Sequence, residues 1–209
     1  MDKYLFLKLK ATTTSPLYSG EVKQTFIEQT RGVNLPIRRT GDGHVAIPIY
    51  GALRAYLEKT LREKGEGVCD SGAKGAKGCG RCVLCDLFGH LGKRGRAIID
   101  DIVSEERTEK IVSKSTHLRL NRNEGVVSDT LTLEAVPEGV VFTGKIRIIE
   151  PKDRDIELIA TAVEAINEFG IGGWITRGHG RIKMEFEVEE RRWTQLIERA
   201  KEMLKKLKI

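Results

Sequence analysis

Gly170-Ile171-Gly172-Gly173-Trp174-Ile175-Thr176-Arg177-Gly178-His179-Gly180-Arg181-Ile182-Lys183 joins a helical pattern to a strand pattern. Upstream, over residues 155–169, Ile156, Ile159, Val163, Ile166 and Phe169 recur at helical spacing. Downstream, Ile182, Met184, Phe186 and Val188 alternate with charged residues, as in a strand with those four side chains inward. Between them lie Gly172, Gly173, Gly178 and Gly180, interleaved with Arg177, His179, Arg181 and Lys183. Glycine admits positive φ and lets a second backbone come close. Taken alone such a run is a helix-to-strand turn. With cations set between the glycines it is also a seat for a phosphate backbone.

The pattern extends outward in both directions. Val140, Phe142, Ile146 and Ile148 face one way, with Thr143, Lys145 and Arg147 opposite, in a strand that follows the turn Pro137-Glu138-Gly139. Near the start, Leu5, Leu7, Leu9 and Ala11 alternate with Tyr4, Phe6, Lys8 and Lys10, giving a strand with one buried and one mixed face. Leu53, Tyr56, Leu57 and Leu61 mark a helix over Gly51–Lys64, stopped by Gly65 and Gly67. Residues 96–103 read as a second strand. Residues 13–46 show no sustained period and form a long excursion, in which Gly41-Asp42-Gly43 reads as a hairpin turn. A last helix places Trp193, Leu196, Ile197, Ala200, Met203, Leu204 and Leu207 on one face.

The order is β-α-β-β-α-β, then a helix. This predicts an α+β, ferredoxin-like (RRM-like) core: an antiparallel sheet with both main helices on one side. Two insertions interrupt one domain spanning 1–209, a cysteine-bearing one at 65–90 and a polar, basic one at 104–135. Within the second, 104–128 lacks an apolar period and 129–136 reads as a strand.

The 209 residues are 40% apolar and 32% charged, a composition with ample material for a core. No apolar run is long enough to cross a bilayer, and Met1-Asp2-Lys3 does not open a signal peptide, so a cytoplasmic location with no membrane partner is expected. The net charge of +6 is modest, but its distribution is not even. Lys110, Lys114, His117, Arg119 and Arg122 fall in a run without an acid. Lys74, Lys77, Arg81, Lys93, Arg94 and Arg96 fall in a glycine-rich stretch broken only by Asp86. The acids gather on helices and late strands. Basic loops on a neutral or acidic scaffold are the pattern of a polyanion binder.

All four cysteines, Cys69, Cys79, Cys82 and Cys85, lie in one window. The two-residue gaps between Cys79, Cys82 and Cys85 let neighbouring thiolates reach one ion, and Cys69 can close a tetrahedron from across the loop. Four sulfur donors favour zinc, with an iron–sulfur cluster second. A disulfide pair is the third reading, weakened by the absent secretion signal. His90 is a possible substitute ligand. Four protein ligands leave no position for water, so the site is expected to be structural.

Several motifs follow one another in a recognisable order. They are Ser15-Pro16-Leu17-Tyr18-Ser19-Gly20, Ile47-Pro48 leading to Gly51-Ala52-Leu53-Arg54, and Leu87-Phe88-Gly89 two residues after Cys85. Gly95-Arg96-Ala97-Ile98-Ile99-Asp100-Asp101 comes next, then 133–142, then Gly172-Gly173 with Arg177-Gly178-His179-Gly180-Arg181. In this order the chain resembles the RAMP superfamily of CRISPR-associated proteins. It is most similar to the repeated backbone subunit that coats guide RNA in type III effector complexes.

The resemblance implies a crRNA-binding core, a thumb-like hairpin within 104–135, and a cysteine- or histidine-bound zinc in the insertion after the first helix. It implies as partners crRNA, target RNA, further copies of the chain stacked head to tail, and other effector subunits. Arg38, Arg39, Arg54, Arg177, His179 and Arg181 are the expected phosphate contacts, with Lys110, Lys114, Arg119 and Arg122 on the thumb. Many members carry an aspartate that supports metal-dependent cleavage of target RNA; here the matching residue is Asn34, whose amide is a poor base and a weak cation ligand. The family's serine-rich stretch before Gly51 is also missing, since only Ile49-Tyr50 stand there. A second reading is an endoribonuclease that processes precursor crRNA or cleaves target RNA, with His44, His117 and His179 as its acid–base candidates.

Overall fold

The computed structural model describes residues 3–20, 33, 35–70, 77–121 and 123–206. Asn34 and Arg122, with Lys74 and Leu207, lie outside the described residues.

Strand β1 (Lys3–Thr13) is the spine of the sheet. Along its length it pairs antiparallel with β10 (Ile182–Arg192) on one side and β9 (Val141–Ile149) on the other. Strands β5 (Ala97–Ile99) and β6 (Ile102–Arg107) both pair with β9, and β2 (His44–Ile47) adds to β6. The order is β10-β1-β9-β6-β2, with antiparallel neighbours throughout.

The expected second strand is thus two pieces, broken at Asp100-Asp101. Gly144 shows how the break is accommodated: a Cβ there would stand 2.6 Å from Ile102 Cγ2, so β6 crosses β9 where β9 has no side chain. The excursion of 13–46 also contains more order than its irregular pattern suggests. Arg39 bridges to Val45 across the Thr40–Gly43 turn, and β2 follows.

Alternation puts Leu7, Leu9 and Ala11 of β1 beside Ile146 and Phe142 of β9 on one face, all buried. Helix α1 (Tyr50–Glu63) covers that face with Leu53, Leu57 and Leu61. Helix α2 (Val83–Phe88) and helix α3 (Thr108–Ile111) are short turns. Helix α4 (Asp155–Phe169) packs beside α1 and adds Leu158, Ile159, Ala162, Val163 and Ile166 to the same core. Each fully buried Leu or Ile contributes about 1.5–3 kcal/mol relative to exposure. Asp155 and Glu157 sit at the positive end of α4.

Asp155 is buried, and Arg96 reaches it with two nitrogens, at 2.5 and 2.8 Å. The same guanidinium donates to Asp86 of α2 at 2.9 Å. One arginine therefore ties the cysteine-bearing segment to the start of α4.

Two expectations are corrected. On β10, Ile182 and Met184 are buried, but Phe186 is half-buried and Val188 is 39% exposed. The distal half of this edge strand runs past the cover of α4. Helix α5 (Thr194–Lys206) is amphipathic, yet none of its residues is buried; Ile197, Met203 and Leu204 are exposed. Its periodicity gave the helix correctly but could not supply a partner. Beside it, Trp193 packs at a tilt against Tyr4, with 5.1 Å between ring centroids.

The basic insertion is a hairpin, β7 (Ser113–Asn121) against β8 (Val126–Ala135), outside the main sheet. Leu35 bridges to Leu133 and Leu17 to Val136, holding the hairpin's base to the excursion. Among the described residues no helix is long and apolar enough to cross a membrane.

Candidate metal centre and polyanion cleft

The ligand atoms of Cys69, Cys79, Cys82 and Cys85 all lie within 4.8 Å of one another. Cys69 Sγ is 3.5 Å from Cys85 Sγ and 3.7 Å from Cys82 Sγ. A tetrahedral ion with metal–sulfur bonds of ~2.3 Å has a sulfur–sulfur edge of about 3.8 Å, so the spacing fits such an ion. The backbone N–H of Cys79 donates to Cys69 Sγ at 2.9 Å, and that of Cys82 to Cys79 Sγ at 3.2 Å. Such donors stabilise thiolate.

The Cys79 thiol is drawn down to about 6, first by the backbone N–H of Arg81. Cys69 is pushed up to about 12, first by its hydrogen bond with the Cys79 side chain. A divalent cation binds cysteine as thiolate and would displace the thiol protons. All four cysteines are free thiols, and their arrangement is compatible with a structural metal.

Next to this centre lies a cleft of about 680 Å³ between the start of α1, the cysteine-bearing segment and β5. Arg54, Lys77, His90, Lys93 and Arg94 line it, with Tyr50 at its edge, and no described carboxylate does. The first turn of α1 holds no acid, so its positive end is not neutralised locally. Tyr50 donates to Phe88 O at 2.7 Å, and Arg54 donates to Gly89 O at 2.7 Å. The short hairpin β3 (Gly89–His90) and β4 (Lys93–Arg94) carries three of the lining cations or imidazoles.

The glycine loop of 170–183 is built differently. Gly180 has φ of 80°, and a Cβ there would stand 2.2 Å from Ile171 O; at Gly172 it would meet Tyr18 O at 2.3 Å. The loop's amides are used internally: Ile171 donates to Gly180 O, Gly173 to Tyr18 O and Gly180 to Pro16 O, each at 2.8 Å. These glycines serve close packing on the segment after β1, and those amides are not available to a phosphate. What the loop offers outward is side chains. Trp174 holds φ of 62°, a left-handed conformation rare for a large residue. The Arg177 guanidinium lies 4.5 Å from its ring and His179 5.8 Å. From the basic hairpin, His117 packs on the same ring at 4.6 Å, leaving the two imidazoles 6.4 Å apart.

Of the residues expected to meet phosphate, Arg54 lines the cleft, and Arg177 and His179 join the Trp174 cluster. Arg181 is exposed, with one nitrogen on Glu168 O at 2.5 Å. Arg38 pairs with Asp101 at 2.8 Å. Arg39 is committed inward, to buried Glu134 at 2.6 Å and Ile37 O at 2.7 Å. Lys110 and Lys114 are exposed on α3 and β7; Arg119 lies on β7 opposite Asp129. His44 is held by Ser104 O at 2.9 Å, and His90 by Leu91 O at 2.9 Å. Sequence reasoning did not select Lys77, Lys93 and Arg94 as site residues, although their nearly acid-free stretch was visible. It passed over Trp174 altogether, as no periodicity marks a residue in a loop.

Compared with known proteins, the chain matches the model of the RAMP superfamily over residues 10–183, and it belongs to that superfamily. Among 229 matching solved chains is one from the cryo-EM structure of the Type III-B Cmr-beta bound to cognate target RNA. It superposes with a TM-score of 0.66 at 15% identity, covering 91% of this chain and 61% of that one. At this identity the likeness concerns the fold, and the chain spans less than two thirds of its neighbour. No curated protein matches the sequence.

Proposed function

We propose that the chain is a crRNA-binding backbone subunit of a type III CRISPR effector complex, one copy following another along the guide and presenting it to target RNA. The observation that carries this is the cleft at the start of α1, where four cationic side chains and a histidine converge without a carboxylate among the described residues. Lysine and arginine there neutralise phosphates, largely without regard to base sequence. The order β10-β1-β9-β6 under α1 and α4 supports reading the core as ferredoxin-like, within a single RAMP domain. On that reading 65–90 is the metal-binding insertion and the β7–β8 hairpin within 104–135 is the thumb, with Lys110 just before it and Lys114 and Arg119 on its first strand. Zinc is the metal the four sulfurs suit best, held by Cys69, Cys79, Cys82 and Cys85. Its contribution is fold: it cross-links a glycine-rich segment that has little apolar area to bury.

The experiment is binding of a labelled single-stranded oligouridylate at several salt concentrations. The logarithm of the affinity should fall linearly with log salt, and Lys93→Ala with Arg94→Ala should flatten that slope by about 1.4, at roughly 0.7 per lost contact. An unchanged slope contradicts the assignment.

A second reading, metal-independent endoribonuclease, is favoured by the two imidazoles 6.4 Å apart on Trp174. Cleavage of the oligouridylate without added metal, abolished by His179→Gln, would support it. Intact RNA after prolonged incubation rejects it.

A further inference from the structure

The metal centre and the cleft share one piece of chain. Lys77 and Gly78 line the cleft and immediately precede Cys79. At Gly78, with φ of 80°, a Cβ would stand 2.5 Å from His90 Cβ and 3.1 Å from Cys85 Sγ. The backbone carrying Lys77 therefore threads between the sulfur cluster and a histidine of the cleft wall, a gap that admits no side chain.

The two halves of that wall are anchored by different means. The half that carries His90, Lys93 and Arg94 is tied to the core. Leu84, Leu87 and Phe88 are buried, Tyr50 and Arg54 bond Phe88 O and Gly89 O, and Gly95 packs so closely that a Cβ would stand 2.2 Å from Phe88 C. The half that carries Lys77 lacks such support. Of the described residues between Lys64 and Val83, only Val68 and Cys82 pack against the hydrophobic core. Beyond the ion pairs of Glu66 with Arg154 and Asp70 with Arg62, position there is set by the sulfur cluster, which holds the chain on both sides of Lys77.

We propose that metal binding and polyanion binding are thermodynamically linked: the ion held by the four cysteines fixes Lys77 in the cleft wall, and a polyanion in the cleft tightens the ion in return. The inference rests on reading the cleft as the RNA site. Linkage is reciprocal by necessity, so the factor by which metal raises polyanion affinity equals the factor by which polyanion raises metal affinity. A competing effect has the opposite sign. Four thiolates and a divalent cation carry a net charge of about −2 beside the cleft, and charge alone would make the metal-free protein bind a polyanion more tightly. Ordering of Lys77 prevails here because it supplies a direct contact, whereas the charge of the centre is screened by solvent and salt.

The test uses the full chain loaded with zinc, a labelled oligouridylate, and a competing chelator. Stripping zinc should weaken oligouridylate binding about fivefold or more and lower the salt slope by about 0.7, the worth of one lost contact to a single strand. In Lys77→Ala the slope should be the same with and without zinc. In equilibrium competition on the loaded protein, oligouridylate should shift zinc toward the protein by the same factor; this arm stands even if stripping unfolds the chain. Equal affinity with and without zinc, tighter binding without it, or zinc partition indifferent to oligouridylate overturns the linkage. Failure of the zinc-loaded protein to bind oligouridylate at all refutes the RNA reading itself.

Discussion

The stretches 65–96 and 170–183 look alike in sequence: closely spaced glycines interleaved with cations. They are built for different ends. In the first, Gly78 passes between the sulfur cluster and His90, Gly89 and Gly95 pack backbone on backbone, and an open, basic cleft lies beside them. In the second, Gly172 and Gly180 also pack backbone on backbone, the amides of Ile171, Gly173 and Gly180 are spent inside, and Arg177 and His179 gather on the Trp174 ring. Glycine content alone does not tell a ligand cradle from a tightly packed turn. What separates them is the open, cation-lined cleft beside the first.

That contrast is open to direct attack. Gly180→Ala would place a Cβ 2.2 Å from Ile171 O at a φ of 80°, and a loss on the order of 5 kcal/mol is expected in chemical denaturation. Gly67→Ala, with nothing within 4 Å of its Cβ, should stay within about 0.5 kcal/mol. Similar losses for both would erase the distinction.

Next in size is the tie between the two halves of the molecule. Arg96→Ala leaves buried Asp155 without its guanidinium and should cost about 3–5 kcal/mol, measured by urea unfolding. A loss below about 1 kcal/mol would show that α4 does not depend on the tie.

Metal removal should act more locally. The chelated protein should keep its sheet and helices by circular dichroism while protease sensitivity appears between Lys64 and Val83. Cutting elsewhere first would assign the ion a wider structural role.

The smallest effect concerns Asp86. Burial works to raise its pKa, but hydrogen bonds from Lys152 and Arg96 outweigh it and hold the carboxyl below its ordinary range. A lowered folded pKa stabilises the protein above the unfolded value and loses that contribution as pH falls through the folded one. Asp86→Asn should therefore be less stable at neutral pH by roughly 1 kcal/mol or less, with the gap closing below pH ~4. A gap that persists in acid would assign it to shape rather than charge.

Much of the framework was legible in the sequence. Helix α4 begins and ends where its apolar spacing does, at Asp155 and Phe169, and β1 and β9 follow their alternation. The four cysteines converge as their spacing implied. Three features were not legible, each for a physical reason. Strand β2 is four residues long with an irregular register against β6, too short for alternation to register. The break at Asp100-Asp101 depends on a missing side chain one strand away, at Gly144. The exposure of α5 and of Val188 depends on what covers them, which periodicity does not encode. Charge distribution marked both basic stretches, but only the fold separates Arg39, bound to Glu134, from Lys93 and Arg94, which line the cleft.

The central claim is that the cleft at the start of α1, and not the glycine loop, supplies most of the phosphate contacts. It is tested most directly by the salt dependence of oligouridylate binding in two double variants, Lys93→Ala with Arg94→Ala and Arg177→Ala with Arg181→Ala. The slope should fall by about 1.4 in the first and by less than about 0.7 in the second. A larger fall in the second, or none in the first, contradicts the account.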